Sequence, residues 1–123
     1  MSNGLILFAH GARDPRWAEP FEAIATAVRS RAPNVDVRLA FLELMTPDLP
    51  TVADAMVADG IKRIDILPLF LGTGGHLRRD LPPLVDDIAT RHSTVVVSLH
   101  PAAGEAPTLI AAMAEHAITL MQA

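Results

Sequence analysis

Two histidines stand where apolar, strand-like runs of the chain come to an end. Residues 5–9 are continuously apolar and lead directly into His10 and Gly11. A second run, residues 67–71, leads into a glycine-rich stretch that closes with His76. Neutral imidazole is a ligand for divalent cobalt, nickel, iron or zinc, and it also accepts protons near neutral pH. The pair indicates a metal site or proton-transfer chemistry, provided that the fold brings the two ends together.

Other residues that could take part in catalysis or binding also follow apolar runs. Glu43 comes directly after another apolar run, residues 35–42, where it would serve as a third ligand, as an acceptor for released protons, or simply as a solvated carboxylate. The stretch Gly72, Thr73, Gly74 and Gly75 allows a ligand close to the backbone, whose N–H groups bind anions. It has neither the lysine of a nucleotide-binding P-loop nor the glycine spacing of a dinucleotide fingerprint.

Four arginines flank the two histidine-bearing stretches in an otherwise acidic chain: Arg13, Arg16, Arg78 and Arg79. Because a guanidinium binds a carboxylate with two parallel hydrogen bonds, this grouping favours an anionic ligand. The simpler alternative is that the neighbouring aspartates neutralise the charges of these arginines. The remaining histidines, His92, His100 and His116, are weaker candidates, of which His100 is the strongest because it ends a predicted strand.

The elements that must position these groups alternate along the chain. Apolar runs predict strands over 5–9, 35–42, 64–67 and 94–99, and helical spacing of apolar residues predicts a helix after each strand. Proline and aspartate place helix starts near Asp14 and Thr46, and a third near Asp80. The order is that of an α/β protein with a four-stranded parallel sheet, flavodoxin-like, in three layers α/β/α, covered on both faces. Strand order 2-1-3-4 would place His10 and His76 at one crevice.

Composition narrows the class of protein. The 123 residues suit one domain, 1–123, and the 50% hydrophobic fraction suits a folded core. A net charge of −4 without a basic block makes nucleic acid an unexpected partner. No apolar run reaches the ~18 residues of a membrane span, so neither a membrane nor a signal peptide is expected, and the cytoplasm is the expected compartment. With no cysteine, a metal would need His, Asp or Glu ligands.

Several short segments together resemble the small-form sirohydrochlorin cobalt chelatases of the class II chelatase superfamily. They are His-Gly-Ala-Arg-Asp-Pro at 10–15, Phe-Leu-Glu at 41–43, Pro-Asp-Leu at 47–49, Pro-Leu-Phe-Leu-Gly at 68–72 with His76, and Asp-Leu-Pro at 80–82. The resemblance covers about residues 4–110. It implies insertion of a divalent metal, Co²⁺ with Ni²⁺ or Fe²⁺ as alternatives, into a sirohydrochlorin-type tetrapyrrole without ATP and with no further cofactor.

The resemblance also implies roles for individual residues. His10 would be proton acceptor and metal ligand, His76 a metal ligand, and Thr46 and the loop from Leu71 to His76 would contact the macrocycle. Two positions depart from the family pattern: Thr46 stands where relatives often carry an acid, and Ala106 stands where they commonly have a histidine. Long-form members hold two such domains, so one domain implies a homodimer.

Two alternatives stay open from the sequence. A metal or tetrapyrrole carrier of the same fold would show the same residues without turnover. A phosphoryl-transfer enzyme, similar to histidine phosphatases with His-Gly at a strand end, would have an arginine just before the histidine, where this chain has Ala9. With the chelatase interpretation, His10 and Glu43 are the predicted catalytic residues, and Arg13 and Arg78 are predicted to bind the carboxylates of the substrate.

Overall fold

Four parallel strands form a single sheet in the order β2-β1-β3-β4. A computed structural model describes residues 1–122, apart from the side chain of His76. The elements in chain order are β1 (Asn3–Ala9), a 3₁₀ turn (Pro15–Ala18), α1 (Glu19–Arg31), β2 (Val35–Phe41), α2 (Leu49–Ala58), β3 (Arg63–Pro68), α3 (Gly75–Arg91), β4 (Val96–Leu99), a second 3₁₀ turn (Ala103–Glu105) and α4 (Pro107–Met121). The predicted α/β class and strand order are confirmed.

Strand β1 is central, with β2 on one side and β3 on the other, all parallel. Its residues Ile6, Leu7, Phe8 and Ala9 are buried because both faces of the strand meet helices. This explains why the run is continuously apolar rather than alternating, as strands of parallel sheets commonly are. The register sets Ala9 beside Phe41, so β1 and β2 end level at their carboxyl edge.

The two faces of the sheet are covered to different extents. On one face, Ile6, Phe8, Ile64 and Ile66 form a large core with apolar residues of α2 and α3. On the other face, Leu7 and Val37 pack against Ala25 of α1 in a smaller cluster. The helix α4 has no buried residue and makes its main contacts with the 3₁₀ turn that precedes it. The three-layer arrangement therefore holds, but α1 covers only the β1–β2 half of its face.

Helix boundaries follow the expected capping with two differences. Asp14 and Asp48 are N-caps: their side chains accept hydrogen bonds from the backbone N–H groups of Arg16 and Thr51, respectively. After Asp14, however, the chain forms a 3₁₀ turn before α1 begins at Glu19. Among residues 1–122, no helix is both long and apolar enough to cross a membrane.

The second difference concerns α3, which begins at Gly75 and not near Asp80. The helical spacing of apolar residues from Leu81 onward suggested a start near Asp80. In the structure Pro82 and Pro83 lie inside the helix, and Gly74 in extended conformation precedes its first turn. His76 consequently belongs to the first turn of α3 and not to a loop.

Candidate functional site

A cleft of about 330 Å³ opens at the carboxyl edge of the sheet, between the end of β1, the residues after β2 and the first turns of α3. In parallel α/β sheets, ligands bind at this edge, where neighbouring connections leave in opposite directions. The walls mix apolar side chains with three titratable groups, and the lining residues are His10, Leu42, Glu43, Leu77, Asp80, Leu81 and Leu84. The predicted site around His10 thus coincides with a real depression.

His10 is held in the cleft by an aromatic neighbour. Its imidazole lies over the ring of Phe70, with centroids 4.3 Å apart and planes inclined by 35°. Phe70 is buried and in turn contacts Phe8 of β1, with centroids 5.9 Å apart. Contact through the ring face leaves both ring nitrogens, which lie in the plane, available for a proton or a metal. No hydrogen bond to either nitrogen occurs among the side chains that the structure describes.

The backbone brings Glu43 beside His10. Beyond the strands, the N–H of Leu42 donates to the carbonyl oxygen of Ala9 (2.8 Å), and the N–H of Glu43 donates to that of His10 (3.0 Å). The β1–β2 ladder therefore continues for two residues past the regular sheet. Glu43 reaches the cleft because its own amide is tied to the histidine residue.

Gly11 makes this close approach possible. Its φ of +96° lies in the left-handed region, which is unfavourable for residues other than glycine. A Cβ at this position would overlap the carbonyl oxygen of Glu43 and lie 3.0 Å from its carbonyl carbon. The glycine after His10 is thus required both by its dihedral angle and by the neighbouring chain.

Arg13 and Thr46 lie in an adjoining hollow and not in the His10 cleft itself. This hollow of about 310 Å³ is also lined by Leu44 and Met45, which follow the cleft-lining Leu42 and Glu43 directly along the chain. The hollow and the cleft have no lining residue in common. A ligand larger than the cleft could contact both, whereas a metal ion alone would not reach Arg13 or Thr46.

The glycine-rich segment has open space around it. A Cβ on Gly72, Gly74 or Gly75 would meet no atom within 4 Å, and none of the three has a positive φ. These glycines therefore leave the backbone before and at the start of α3 uncovered, and they do not form a strained turn. Leu71, at the beginning of this segment, is largely exposed.

The backbone of His76 lies in the first turn of α3, next to the cleft-lining Leu77. Its imidazole lies outside the described residues, so its predicted pairing with His10 stays a prediction. Among the described side chains, no group of three His, Asp or Glu is arranged to hold a metal ion.

Arg78 is partly engaged with its own surroundings. Its Nε donates to the carbonyl oxygen of Thr73 (2.9 Å), and its guanidinium lies 4.0 Å from a carboxylate oxygen of Glu105. Arg78 and Thr73 line a third depression of about 160 Å³, together with His100. The arginine therefore braces the glycine-rich segment. Of the other two arginines, Arg16 forms an ion pair with Asp14 (2.8 Å), the neutralisation considered from the sequence.

The weaker histidine candidates have structural partners. His92 bonds to Asp54 (2.7 Å), and this hydrogen bond lowers the pKa of the Asp54 carboxyl. His100 bonds to Asp65 (2.8 Å); burial raises the pKa of Asp65, but the bonds from His100 and Arg63 outweigh burial and lower it overall. His116 is exposed on α4. None of the three lines the His10 cleft.

Sequence reasoning missed several members of the site, among them Phe70, Asp80 and Leu84. Phe70 supports His10 from below, and the other two project from α3 into the cleft. The spacing of Leu77, Leu81 and Leu84 is that of one helix face, so extending the helix back to Gly75 would have placed Asp80 in the cleft.

Fold and site together define a parallel α/β protein with an imidazole and carboxylate at the carboxyl edge of its sheet. Solved structures of the same class superimpose on it: a CbiX protein from Marinobacter aquaeolei VT8 at a TM-score of 0.86, with 31% identity over 98% of both chains. Cobalt-bound SirB, a sirohydrochlorin chelatase from Bacillus subtilis subspecies spizizenii, gives a TM-score of 0.71 at 27% identity, over 82% of this chain and 44% of that one.

A sequence model of the CbiX family matches residues 4–120, and the chain belongs to this family. Sirohydrochlorin cobaltochelatases of Methanocaldococcus jannaschii and Methanococcus aeolicus are 33% and 31% identical over 72% and 66% of this chain. The aligned parts span 62% and 57% of those two proteins. The resemblance inferred from the short segments is thus confirmed.

Proposed function

We propose that this protein inserts a divalent metal, Co²⁺ with Ni²⁺ or Fe²⁺ as alternatives, into a sirohydrochlorin-type tetrapyrrole without ATP. The observation that carries the proposal is the imidazole of His10, set in a cleft beside Glu43 with its ring nitrogens facing no described partner. Relatives that share this fold are named sirohydrochlorin cobaltochelatases and chelatases, which supports the same reaction here.

The chemistry requires two kinds of group that the cleft supplies. A hydrated metal ion must lose water ligands, and two pyrrole N–H protons must leave as the metal enters, so that charge is conserved. An imidazole such as His10 replaces a water ligand and then releases the metal, and in its neutral form it accepts a proton. Glu43, beside it, accepts the second proton or relays the first to solvent. His76, in the first turn of α3, is proposed as a further metal ligand.

The macrocycle is proposed to extend from the cleft into the neighbouring depressions. Its carboxylates would meet Arg13 in the hollow shared with Thr46, and its other side would meet residues 71–76, with Arg78 behind them. Bidentate guanidinium–carboxylate contacts suit both arginines. Arg13→Ala should then raise the apparent KM and make it more sensitive to salt, whereas Arg31→Ala, at the far end of α1, should not.

Incubation with sirohydrochlorin and each metal in turn tests the proposal directly. The absorption change of the macrocycle is followed against a control without protein, with substrate in large excess. Repeated turnover supports a chelatase, and a change limited to one equivalent would indicate a carrier of the same fold. No acceleration with any of the three metals would refute insertion.

Removing the two histidines separately and together tests whether they serve one metal. His10→Ala and His76→Ala should each weaken binding of Co²⁺, measured by calorimetry, and the double variant should cost much less than the sum. His92→Gln, outside the cleft, is the matched control. Strictly additive losses would contradict a shared metal, and full turnover in a folded His10→Ala protein would contradict proton acceptance by His10.

We also propose that the protein works as a homodimer, because one shallow cleft leaves a flat macrocycle open on one face and a closed two-fold interface is the usual remedy. Light scattering should give twice the 13.2 kDa chain mass at micromolar concentration. The cytoplasmic location stays a prediction, which cell fractionation would test.

A further inference from the structure

The first turns of α3, residues 75–80, form one wall of the His10 cleft with little anchoring in the core. Leu77 and Asp80 line the cleft, yet none of the side chains that the structure describes between residues 71 and 80 is buried. The first buried residue of the helix is Leu81, which is 4% exposed. A stretch that buries so little apolar surface has a low free energy of local unfolding.

Two consecutive prolines separate these turns from the rest of α3. Pro82 and Pro83 have no N–H, so the carbonyl groups of residues 78 and 79 have no donor at the fourth residue along the helix. The amides before the prolines bond back towards Gly74, whose carbonyl oxygen accepts from the N–H of Arg78 (3.0 Å). The first turns therefore hold their helical bonds among themselves, and unwinding them breaks no bond that a residue after the prolines donates.

The same prolines give α3 a second place to begin. A proline costs no hydrogen bond in the first turn of a helix, because the N–H groups there have no partner within the helix. In a helix that began near Asp80, Pro82 and Pro83 would both lie in the first turn, and the apolar spacing from Leu81 onward would be kept. The sequence predicted this shorter helix, and the structure shows the longer one from Gly75. The chain is thus compatible with both starts.

The contacts that hold the first turns in place are weak. The three glycines before and at the start of α3 have open space around them, and glycine adopts more backbone conformations than any other residue. Arg78 bonds to the carbonyl oxygen of Thr73 within the same stretch of chain (2.9 Å). Its guanidinium reaches Glu105 at 4.0 Å, but both side chains are largely exposed, and such ion pairs add little stability.

The size of the cleft requires access for a ligand larger than its present volume. About 330 Å³ is near the lower limit of the ~300–1,000 Å³ typical of pockets for drug-sized ligands, and a tetrapyrrole with its carboxylate arms exceeds that size. Leu77 lines both this cleft and the third depression, beside Arg78. Unwinding of residues 75–80 would remove Leu77 from both walls and join the two spaces.

We propose that residues 75–80 are a gate with two states. Unwound, with α3 beginning near Asp80, they admit the tetrapyrrole and the metal; wound, with α3 beginning at Gly75, they close over the bound macrocycle and exclude water from the reacting atoms. The proposal rests on the proposed metal insertion and adds to it the step that gives access to the site.

Amide hydrogen exchange of the full chain, followed by NMR without any ligand, tests the gate independently of the reaction. The fifth to seventh residues of α3, 79–81, are matched by those of α1, 23–25, because each set has two exposed residues followed by a buried one. Since α1 has proline only in its first turn, protection factors at 79–81 should be about tenfold lower, as two missing helix bonds predict. Equal protection of the two sets would overturn the gate.

Restoring the missing N–H groups should keep the gate wound. In the double variant Pro82→Ala, Pro83→Ala, protection at 79–81 should rise to that at 23–25, and kcat for metal insertion should fall severalfold because opening becomes rarer. Pro83→Ala alone, at a residue that lines none of the three depressions, should change both values in the same direction by less.

Pro20→Ala is the matched control for these substitutions. Pro20 is exposed in the first turn of α1, where a restored N–H gains no partner within the helix, so protection and turnover should both stay unchanged. Circular dichroism establishes that each variant is folded. Higher protection with normal turnover in the double variant would overturn the gate, because access would then not depend on unwinding.

Sirohydrochlorin without metal separates the gate from the reaction. Binding of the macrocycle should raise protection at residues 79–81, since the wound turns close over it, and leave residues 23–25 unchanged. Protection at 79–81 that does not respond to bound macrocycle would overturn the closing step. A protein that shows this response and yet inserts none of the three metals would lose the proposed reaction and keep the gate.

Discussion

Replacing Gly11 by alanine tests how the site is built, because two separate constraints act at this residue. The positive φ of +96° costs an alanine about 1–2 kcal/mol, of which reduced freedom of the unfolded chain returns about 0.4–1 kcal/mol. In addition, the new Cβ would overlap the carbonyl oxygen of Glu43. Relieving that overlap must separate the two chains where the Glu43 amide bonds to His10 (3.0 Å).

Gly60 provides a matched control for the first constraint. Its φ is +90°, and a Cβ there would meet no atom within 4 Å. Gly60→Ala should therefore lower the free energy of unfolding by about 1 kcal/mol, the net dihedral cost. Gly11→Ala should lower it by about 3 kcal/mol, since a lost hydrogen bond and the repacking of the loop add about 2 kcal/mol.

Urea denaturation measures both values. The single tryptophan, Trp17, stacks on Phe21 with centroids 4.5 Å apart and reports unfolding near the site by its fluorescence. In a thermal scan, the extra loss in Gly11→Ala corresponds to a midpoint about 8 °C below that of Gly60→Ala. Equal losses in the two variants would refute the argument that the approach of Glu43 constrains Gly11. Metal insertion should fall in Gly11→Ala and stay unchanged in Gly60→Ala.

Further predictions concern pairing, loop position and support of the imidazole. Asp36 accepts two hydrogen bonds from Arg38 (both 2.8 Å), which lower its pKa, so Asp36→Asn should cost about 1–2 kcal/mol at pH 7. That stabilisation exists above the unfolded pKa of ~3.9 and is lost as pH falls through the lower folded value, so wild type and variant should converge in urea titrations at acidic pH; a constant gap would contradict this. Gly104→Ala, which would overlap the carbonyl of Leu71, should destabilise the chain and raise the apparent KM, and an unchanged KM would exclude a positioning role. Phe70→Leu should slow metal insertion at a stability cost of about 1 kcal/mol, and normal insertion would show that the ring does not orient the site histidine.

Local sequence carried much of the architecture. The uninterrupted apolar run of β1 predicted a strand buried on both faces. Successive side chains of a strand point to opposite faces of the sheet, so a continuous apolar run indicates that both faces are covered. Alternation with helices and right-handed connections then left few topologies, and the commonest small one has the observed order β2-β1-β3-β4. The placement of His10 at the edge of the sheet depended on these local patterns alone.

Long-range packing decided what local patterns could not. Phe70 and Asp80 belong to the site only because of tertiary packing. The stacking on His10 and the lining of the cleft depend on how the residues after β3 and the helix α3 lie against β1. The start of α3 was misplaced because the apolar spacing from Leu81 onward is a local signal, whereas the full length of the helix depends on all its contacts.

The sequence by itself determined that α4 is a helix and that it is apolar, because spacing and composition are properties of the segment. Only the tertiary structure decided that α4 leaves β3 and β4 uncovered. The physical reason is that the turn before α4 is tied to the end of β3 by Gly104, a contact between residues more than thirty positions apart that no local pattern specifies.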